Sequence, residues 1–368
     1  MRPNRRRFLA TLPVASAGLA FDARGAPAAD VPRWRGFNLQ EKFTDTPKEW
    51  AAVDPEWGHH NEPFMESDFA WIAELGFNFV RLPMSYRCWT DPRDPYHQFE
   101  PVLRQIDQAV NWGRQYGVHV CLNFHRAPGY SINASLSPEP WSLWSDAKAL
   151  DVFTYQWSKF AARYKDVPGM ALSFNPINEP NGCTLNQYAA VMRRAIGAIR
   201  EADPNRLVMI DGMFGETMLP VPELADIPNA VHATRGYAPF SLTHYLAPWA
   251  GTPKELPTWP TKNGGLVVWD KDRLDQICIL PGQGLEFRQP GTRIFVGEWG
   301  CWNQTPHDVA LRWMRDFLAL WKAAGWGWAL WCFRGSFGIL DSGRADVKYE
   351  NWRGHALDRK MLELLREF

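Results

Sequence analysis

Eight short apolar runs, most of them separated by amphipathic stretches, constrain the fold of this chain more than any other feature. The first run covers residues 34–39 and the last covers residues 327–331. Near-continuous apolar runs of this length are typical of parallel strands that are covered on both faces. No glycine-rich phosphate-binding turn follows the first run, so a closed barrel is favoured over an open doubly wound sheet. The sequence therefore predicts an α/β fold, a single-domain (β/α)8 TIM barrel.

The predicted elements alternate along the chain. The predicted strands are residues 34–39, 77–83, 118–125, 170–174, 206–210, 229–234, 292–300 and 327–331. The predicted helices are residues 66–75, 105–116, 150–164, 185–202, 309–324 and 355–368. The longest stretch without a predicted element runs from about residue 240 to residue 289 and is rich in Pro, Gly and Trp. Because long loops in compact domains are usually functional, we interpret this stretch as one wall of a cleft.

The first 29 residues are predicted to be a signal peptide, and residues 30–368 to be the folded domain. Arginines at positions 5–7 precede a moderately apolar run and small residues at positions 26–28. This order is typical of a bacterial twin-arginine export signal, although a basic disordered tail is the alternative. We therefore expect a periplasmic or extracellular protein. No later stretch reaches the roughly 18 consecutive apolar residues that a membrane helix needs, so no membrane partner is expected.

Charge and cysteine spacing argue against several other classes of protein. Lys+Arg 40 and Asp+Glu 40 give a formal net charge of zero, whereas a nucleic-acid-binding protein needs a basic face. The six cysteines show no CxxC motif and no paired spacing with histidine, so a zinc site is not expected. An exported protein could form disulfides, but several cysteines lie in apolar runs, where buried thiols are expected.

Two glutamates occupy matching places relative to predicted strands. Glu179 follows the strand at residues 170–174 within an Asn-Glu-Pro tripeptide, and Glu298 ends an apolar run before Trp-Gly. The active sites of such barrels lie at the carboxyl ends of the strands, so we expect the two carboxyl groups to face each other. A facing pair of carboxyl groups is what cleavage of a glycosidic bond requires.

Other polar and aromatic residues also lie at predicted strand ends, namely Arg81, His125, Asn178 and Trp331. A single glutamate or histidine in such a place is more often structural than catalytic. The combination of these residues with the two glutamates is harder to explain by structure alone. It favours a functional site at the carboxyl end of the barrel.

Five segments, in the right order, resemble glycoside hydrolase family 5, the cellulase-type branch of the retaining glycosidases. They are residues 81–83, 123–130, 178–180, 297–300 and 330–331. The resemblance covers nearly all of the chain after the predicted signal. It implies an O-glycosyl hydrolase that acts by double displacement on a β-linked glycan and uses no cofactor, and the predicted signal makes it a secreted one. It also implies two carboxyl groups about 5–5.5 Å apart.

The resemblance assigns Glu179 as the acid/base and Glu298 as the nucleophile. Arg81 is similar to the arginine that keeps the nucleophile ionised. Glu179 then has to hold a proton for the leaving sugar and later accept one from water.

The resemblance also implies substrate-binding residues. Asn178 is similar to the residue that holds the sugar 2-hydroxyl. His125 and Trp331 are similar to residues that line the subsite before the scissile bond, with the tryptophan as a stacking platform.

One departure from the family falls after the sixth predicted strand. The family usually has His-x-Tyr there, and this chain has Arg235-Gly236-Tyr237. Tyr237 matches the tyrosine that contacts the nucleophile. Arg235 is longer than histidine and permanently charged, so we expect it to favour ionised carboxylates nearby and to reshape the subsite. The usual cellulose substrate is therefore in question.

The most direct interpretation is an endo-β-1,4-glucanase that works as a monomer. A β-mannanase or an exo-acting β-glucosidase would share the chemistry, since loops choose the sugar. A non-catalytic carbohydrate-binding barrel is an alternative of another class, against which the presence of both glutamates argues. A metal-dependent hydrolase would need clustered His and Asp residues, and the nine histidines are scattered. A second Asn-Glu-Pro tripeptide, at residues 61–63, follows no strand, so Glu62 is not expected in the site.

Overall fold

Eight parallel strands close into a barrel in the computed structural model. It describes residues 31–44, 63–91, 93–133, 138–213, 217–251, 254–263 and 266–368. The barrel strands are β1 (Arg35–Asn38), β2 (Phe79–Ser85), β3 (His119–Ala127), β4 (Leu172–Asn175), β5 (Leu207–Asp211), β6 (Ala230–Gly236), β7 (Arg293–Trp299) and β8 (Gly327–Leu330). Their order is β2-β1-β8-β7-β6-β5-β4-β3, and a further β2–β3 pairing closes the ring. The predicted TIM barrel is confirmed, whereas the predicted signal and Glu62 lie outside the described residues.

Helices surround the barrel. They are α1 (Glu66–Glu74), α2 (Glu100–Tyr116), α3 (Ala147–Tyr164), α4 (Leu185–Ala202), α5 (Leu280–Arg288), α6 (His307–Ala324) and α7 (Arg359–Glu367). Each buries an apolar stripe at helical spacing, as α2 does with Leu103, Ile106 and Val110. Gly117 ends α2 in the left-handed conformation (φ 68°) and turns the chain into β3. No helix within the described ranges is long and apolar enough to cross a membrane.

Shorter elements decorate the connections between strands and helices. They are the turns Tyr86–Cys88, Pro222–Leu224 and Phe240–Thr243, the segments Lys271–Leu274 and Asp275–Ile279, and the strands Thr90–Asp91, Asp94–Gln98, Tyr130–Ser131, Thr261–Asn263, Leu266–Trp269, Glu350–Trp352 and His355–Leu357.

Two of the predicted elements differ in the structure. The stretch at residues 240–289 contains a hairpin and a continuous helical segment from Lys271 to Arg288, so it is not one long loop. Pro281 and two glycines lower its helical signal, but Leu274, Ile279 and Leu285 bury its apolar face. The last predicted helix begins at Arg359 instead of residue 355, because His355–Leu357 pairs with Glu350–Trp352.

Apolar side chains fill the amino-terminal part of the barrel interior. One buried cluster joins inward-facing residues of several strands: Trp34, Phe79, Cys121, Leu207, Met209, Val231, Phe295 and Ala329. Successive side chains of a strand point to opposite faces, so every second residue beyond these also faces inward. On β5 this alternation runs Leu207, Met209, Asp211, and it leads from an apolar floor to a polar layer.

Candidate active site

A layer of buried polar residues lies at the carboxyl ends of the barrel strands. It includes Asn38, Arg81, Asn123, Asn175, Asp211 and Arg235. Each faces inward by the alternation of its strand. Burying polar groups is unfavourable unless they are hydrogen-bonded to one another, and in this layer they are. The carboxyl end of the barrel is therefore built for recognition or chemistry, as in other barrels of this type.

Glu298 turns inward because β7 is irregular just before it. The register of β7 against β6 shifts between Val296 and Glu298, which pairs Glu298 with Arg235. Such a bulge changes the direction of a side chain. Gly297 occupies the shift, where a Cβ atom would lie 2.8 Å from Arg235 Nη1. A residue with a side chain at position 297 would therefore collide with the Arg235 guanidinium group, which lies beside Glu298.

The Glu298 carboxylate receives three donors. Arg81 Nη1 lies 2.6 Å from Oε1 and Arg235 Nη2 lies 3.3 Å from the same oxygen. The Tyr237 hydroxyl donates to Oε2 at 3.4 Å. The predicted Arg81–Glu298 contact and the predicted contact of Tyr237 are thus both present. Two guanidinium groups thus lie around one carboxylate and form charge-assisted hydrogen bonds with it.

Glu179 lies in the loop between β4 and α4 with a left-handed backbone (φ 44°). A non-glycine residue in this conformation needs support from its surroundings. Its N–H donates to Asp211 Oδ2 at 2.9 Å, and its carbonyl accepts from the Tyr130 hydroxyl at 2.5 Å. These two bonds fix the peptide on both sides of the residue and aim its side chain into the barrel mouth.

The Glu179 carboxyl group is suited to carry a proton near neutrality. Burial, and then the charge of Glu298, raise its pKa from 4.5 to about 7. Arg235 opposes this rise, since its Nε donates to Glu179 Oε1 at 2.8 Å. A general acid with a pKa near the working pH is the most effective one.

Arg235 links the two glutamates. Its Nη2 also contacts Asp211 Oδ2 at 2.5 Å and Asn178 Oδ1 at 3.1 Å. Burial opposes its charge, but the carboxylates of Asp211, Glu298 and Glu179 raise the pKa of Arg235 well above its ordinary value. The residue in the place of the family histidine is thus a fixed cation that contacts both proposed catalytic groups.

Asn178 offers a hydrogen-bond donor to a ligand. Its Oδ1 accepts from Arg81 Nη2 at 2.6 Å as well as from Arg235. Two arginine donors on one atom identify it as the oxygen, so the other atom is the amide nitrogen. That Nδ2 is buried and has no partner in the structure. Since buried donors are normally satisfied, it is suited to a substrate hydroxyl.

Aromatic rings line the site beside the glutamates. The His125 and Trp331 rings lie 5.5 Å apart and are nearly parallel, and both side chains are partly exposed. Trp331 packs against a cluster formed by Tyr237, Ala247, Trp302 and Phe337, and Phe240 packs there too. The start of the 240–289 stretch thus contributes to this wall, whereas its helix covers the outside of the barrel.

The structure brings together all eight residues singled out in the sequence. It also adds Asp211, Asn175 and Tyr130, which the sequence analysis did not select. The predicted strand stopped at residue 210, one residue before Asp211. An acidic residue that directly follows an apolar strand was the signal that could have identified it. No group of three or more His, Cys, Asp or Glu side chains in the described ranges is arranged to hold a metal ion.

A buried glutamate and a partly buried one, joined by an arginine and set beside an aromatic wall at the carboxyl end of a barrel, define the site of a glycosidase. The family model for cellulase (glycosyl hydrolase family 5) matches residues 21–336. A crystal structure of a glycoside hydrolase is 39% identical, with a TM-score of 0.80 over 91% of this chain and 99% of that chain.

Curated relatives point the same way. Endoglucanase C of Acetivibrio thermocellus is 24% identical over 314 residues, which are 79% of this chain and 90% of the relative. Glucan 1,3-beta-glucosidase 1 of Schizosaccharomyces pombe is 31% identical over 135 residues, which are 35% of this chain and 32% of the relative. The chain belongs to glycoside hydrolase family 5, and it is a retaining glycosidase.

Proposed function

We propose that this enzyme hydrolyses a β-linked glucan by double displacement, with Glu298 as the nucleophile and Glu179 as the acid/base. One observation carries the proposal. A single guanidinium group, that of Arg235, contacts both carboxyl groups, and the pKa of Glu179 is raised to about 7. The two carboxyl groups are therefore close together, and Glu179 can hold a proton near neutral pH, as the retaining mechanism requires of its acid/base.

In the first step, a Glu298 oxygen attacks the anomeric carbon and forms a glycosyl ester. The bond from that carbon to the leaving oxygen breaks, and the Glu179 proton passes to that oxygen. Forming the ester removes the negative charge of Glu298. That charge is one of the causes that raise the pKa of Glu179, so Glu179 becomes a stronger acid once the ester exists.

In the second step, the ionised Glu179 accepts a proton from water, whose oxygen attacks the anomeric carbon. The ester bond to Glu298 breaks, and the sugar leaves with its original configuration. The same residue thus serves as acid and then as base because its neighbour is neutralised in between.

Two side chains beside the glutamates are suited to bind a sugar. Asn178 Nδ2 is a donor without a protein partner and is suited to the 2-hydroxyl beside the reacting carbon. Trp331 is partly exposed and presents a ring face on which the apolar C–H face of a sugar can stack. A β-1,4-glucan cut within the chain is the substrate we favour, and the name of the endoglucanase relative supports the endo action on a glucan.

The glucosidase relative favours a second candidate, an exo-acting enzyme on a β-1,3-glucan. A β-mannanase stays open on the same chemistry. Product sizes distinguish the modes, because endo action releases mixed oligosaccharides and exo action releases one small sugar.

The experiment is a panel of β-1,4-glucans, β-1,3-glucans, mannans and aryl β-glycosides, with product size and anomeric configuration followed by NMR. We expect retention. Glu298→Gln should lower the rate at least about a thousandfold on every substrate of the parent. The matched control is Glu286→Gln, a partly buried glutamate on α5 that accepts from Trp326 Nε1 and should keep full activity. Inverted products, or a Glu298→Gln variant as fast as the parent, would contradict the mechanism.

The proposal extends to export through residues 1–29. Replacing the arginines at positions 5 and 6 with lysine should retain the protein in the cytoplasm of a bacterial host with a twin-arginine pathway. Unchanged delivery to the periplasm would contradict this.

A further inference from the structure

Asp211 is a buried carboxylate to which the double-displacement mechanism gives no role. Its side chain is fully buried at the end of β5. Oδ1 accepts from Asn175 Nδ2 at 2.9 Å, and Oδ2 accepts from the Glu179 N–H at 2.9 Å. Oδ2 also lies 2.5 Å from Arg235 Nη2. Asp211 therefore contacts both the peptide that carries the acid/base and the cation that faces it.

The position of Arg235 reflects a competition between carboxylates. Its Nη2 lies 2.5 Å from Asp211 but 3.3 Å from Glu298. Glu298 instead has Arg81 at 2.6 Å as its close partner. Each arginine thus has one short carboxylate contact through a terminal nitrogen, and Glu179 meets Arg235 only through Nε.

The charges in this group explain why one carboxyl group keeps a proton. Three carboxyl groups, those of Glu179, Glu298 and Asp211, face two guanidinium groups, those of Arg81 and Arg235. With all three carboxyl groups ionised, this group of side chains has one more negative than positive charge. Protonating one of them makes it neutral, which burial favours. Glu298 and Asp211 each have a terminal guanidinium nitrogen within 2.6 Å, whereas Glu179 contacts only the Nε of Arg235, at 2.8 Å, so the proton goes to Glu179.

Two tyrosine hydroxyls also face the acid/base. Burial raises the pKa of Tyr130 and of Tyr237 above the ordinary value of tyrosine, so both stay neutral at the pH where the enzyme works. They do not alter the charge count.

We infer that Asp211 is a positioning residue for the reaction: by holding Arg235 and the Glu179 peptide, it leaves Glu179 as the carboxyl group that carries the proton. The inference rests on the proposed roles of the two glutamates. Without the charge of Asp211, two arginines would balance two ionised glutamates, and Glu179 would lose its proton at a lower pH. Most of the enzyme would then lack its general acid at neutral pH.

The test is Asp211→Asn, which keeps the shape and an acceptor oxygen but removes the charge. We expect the basic limb of the kcat/KM profile to move down by roughly one pH unit. At neutral pH the loss should be large for an aryl glycoside with a poor leaving group. It should be small for a dinitrophenyl glycoside, whose leaving group needs no acid. A structural defect alone would slow both substrates equally.

The matched control is Asp203→Asn, in the short connection that leads into the same strand. Asp203 is buried and lies 2.6 Å from Arg206 Nη2, just before β5. Removing its charge should lower stability without moving the basic limb. The inference is overturned if the basic limb of the kcat/KM profile moves equally in Asp211→Asn and Asp203→Asn, or if it moves in neither.

The double variant Asp211→Asn/Arg235→Gln provides a rescue. It leaves one guanidinium group against two glutamates, a count of 1 − 2 = −1, so Glu179 should again hold its proton. We expect the basic limb to return to the parent's pH or above. This variant also keeps the test sharp if Asp211→Asn alone does not fold, because it removes Arg235 together with the carboxylate that is its closest partner. A limb below that of the parent would overturn the inference.

A titration that does not depend on activity separates this inference from the proposed function. Carboxyl ¹³C NMR can follow Glu179, assigned by its loss in Glu179→Gln. We expect its titration to fall by roughly one pH unit in Asp211→Asn. A parent that hydrolyses glycans while this titration does not move refutes the role of Asp211 alone. A parent without glycosidase activity refutes the proposed function, whatever the titration shows.

Discussion

Glu179→Gln should abolish general acid catalysis and at the same time stabilise the fold, in a way that depends on pH. The pKa of Glu179 is raised from 4.5 to about 7, chiefly by burial. Below pH 4.5 the carboxyl group is protonated in both the folded and the unfolded chain, so its titration does not change the free energy of unfolding. Between pH 4.5 and 7 the unfolded chain releases the proton and the fold keeps it, so the stability of the parent falls as the pH rises. Above pH 7 the loss is complete.

The size of the effect follows from the two pKa values. The rise from 4.5 to about 7 is 2.5 units, and each unit is worth 1.36 kcal/mol, which gives a loss of about 3 kcal/mol at alkaline pH. Glutamine has nearly the same shape and retains an oxygen that can accept from Arg235 Nε. The variant therefore avoids this loss without creating a cavity.

The assay is urea unfolding of parent and variant at pH 4 and pH 8.5, at one ionic strength. We expect equal stability at pH 4 and an advantage of about 3 kcal/mol for the variant at pH 8.5. Glu201→Gln, at an exposed position on α4, is the control and should show no such pH-dependent gain. A Glu179→Gln variant that is no more stable than the parent at pH 8.5 would refute the reasoning.

Three further predictions follow from the same contacts. Arg235→His should move the acidic limb of the kcat/KM profile to higher pH, because it removes a permanent charge beside Glu298; an unmoved limb would speak against that role. Trp331→Ala should raise KM for glycans several-fold with a smaller effect on kcat, as expected for the loss of a stacking surface worth about 1 kcal/mol; an unchanged KM in steady-state kinetics would exclude the platform. Glu41 is buried, and burial raises its pKa to about 7, although the charge of Arg334 and backbone hydrogen bonds act to lower it. Glu41→Gln should therefore increase stability at pH 8.5 and not at pH 4 in urea unfolding; an equal gain at both pH values would contradict this origin.

The barrel could be predicted from the sequence because each of its strands carries a local signal. Short apolar runs indicate strands that are covered on both faces, and a glycine such as Gly117 marks the end of the preceding helix. Both signals can be recognised in the sequence without knowledge of long-range contacts. The predicted elements were wrong where the local sequence signal conflicts with the packing of the folded chain. Pro281 and its neighbouring glycines hide the helix that ends at Arg288, which is stabilised by the apolar face it buries on the barrel.

The members of the site could largely be predicted, whereas their connections could not. Arg235 was selected as a departure from the family, but nothing local shows that it contacts Glu179 from another strand. Asp211 was missed because its role depends on partners 24 and 32 residues away in the chain. Which carboxylate an arginine meets is decided by strand register and by the bulge beside Gly297, and the order of residues does not encode these locally.

The left-handed backbone at Glu179 has a practical consequence for capturing an uncleaved substrate. Alanine, the usual replacement for a catalytic acid, would keep the steric strain of a Cβ atom at φ 44° and lose the side-chain bond to Arg235. Glycine adopts this conformation freely, and the main-chain bonds to Asp211 and Tyr130 would persist. Glu179→Gly is thus the better choice for soaking crystals with long oligosaccharides, because it would empty the space of one carboxyl group and leave the loop in place.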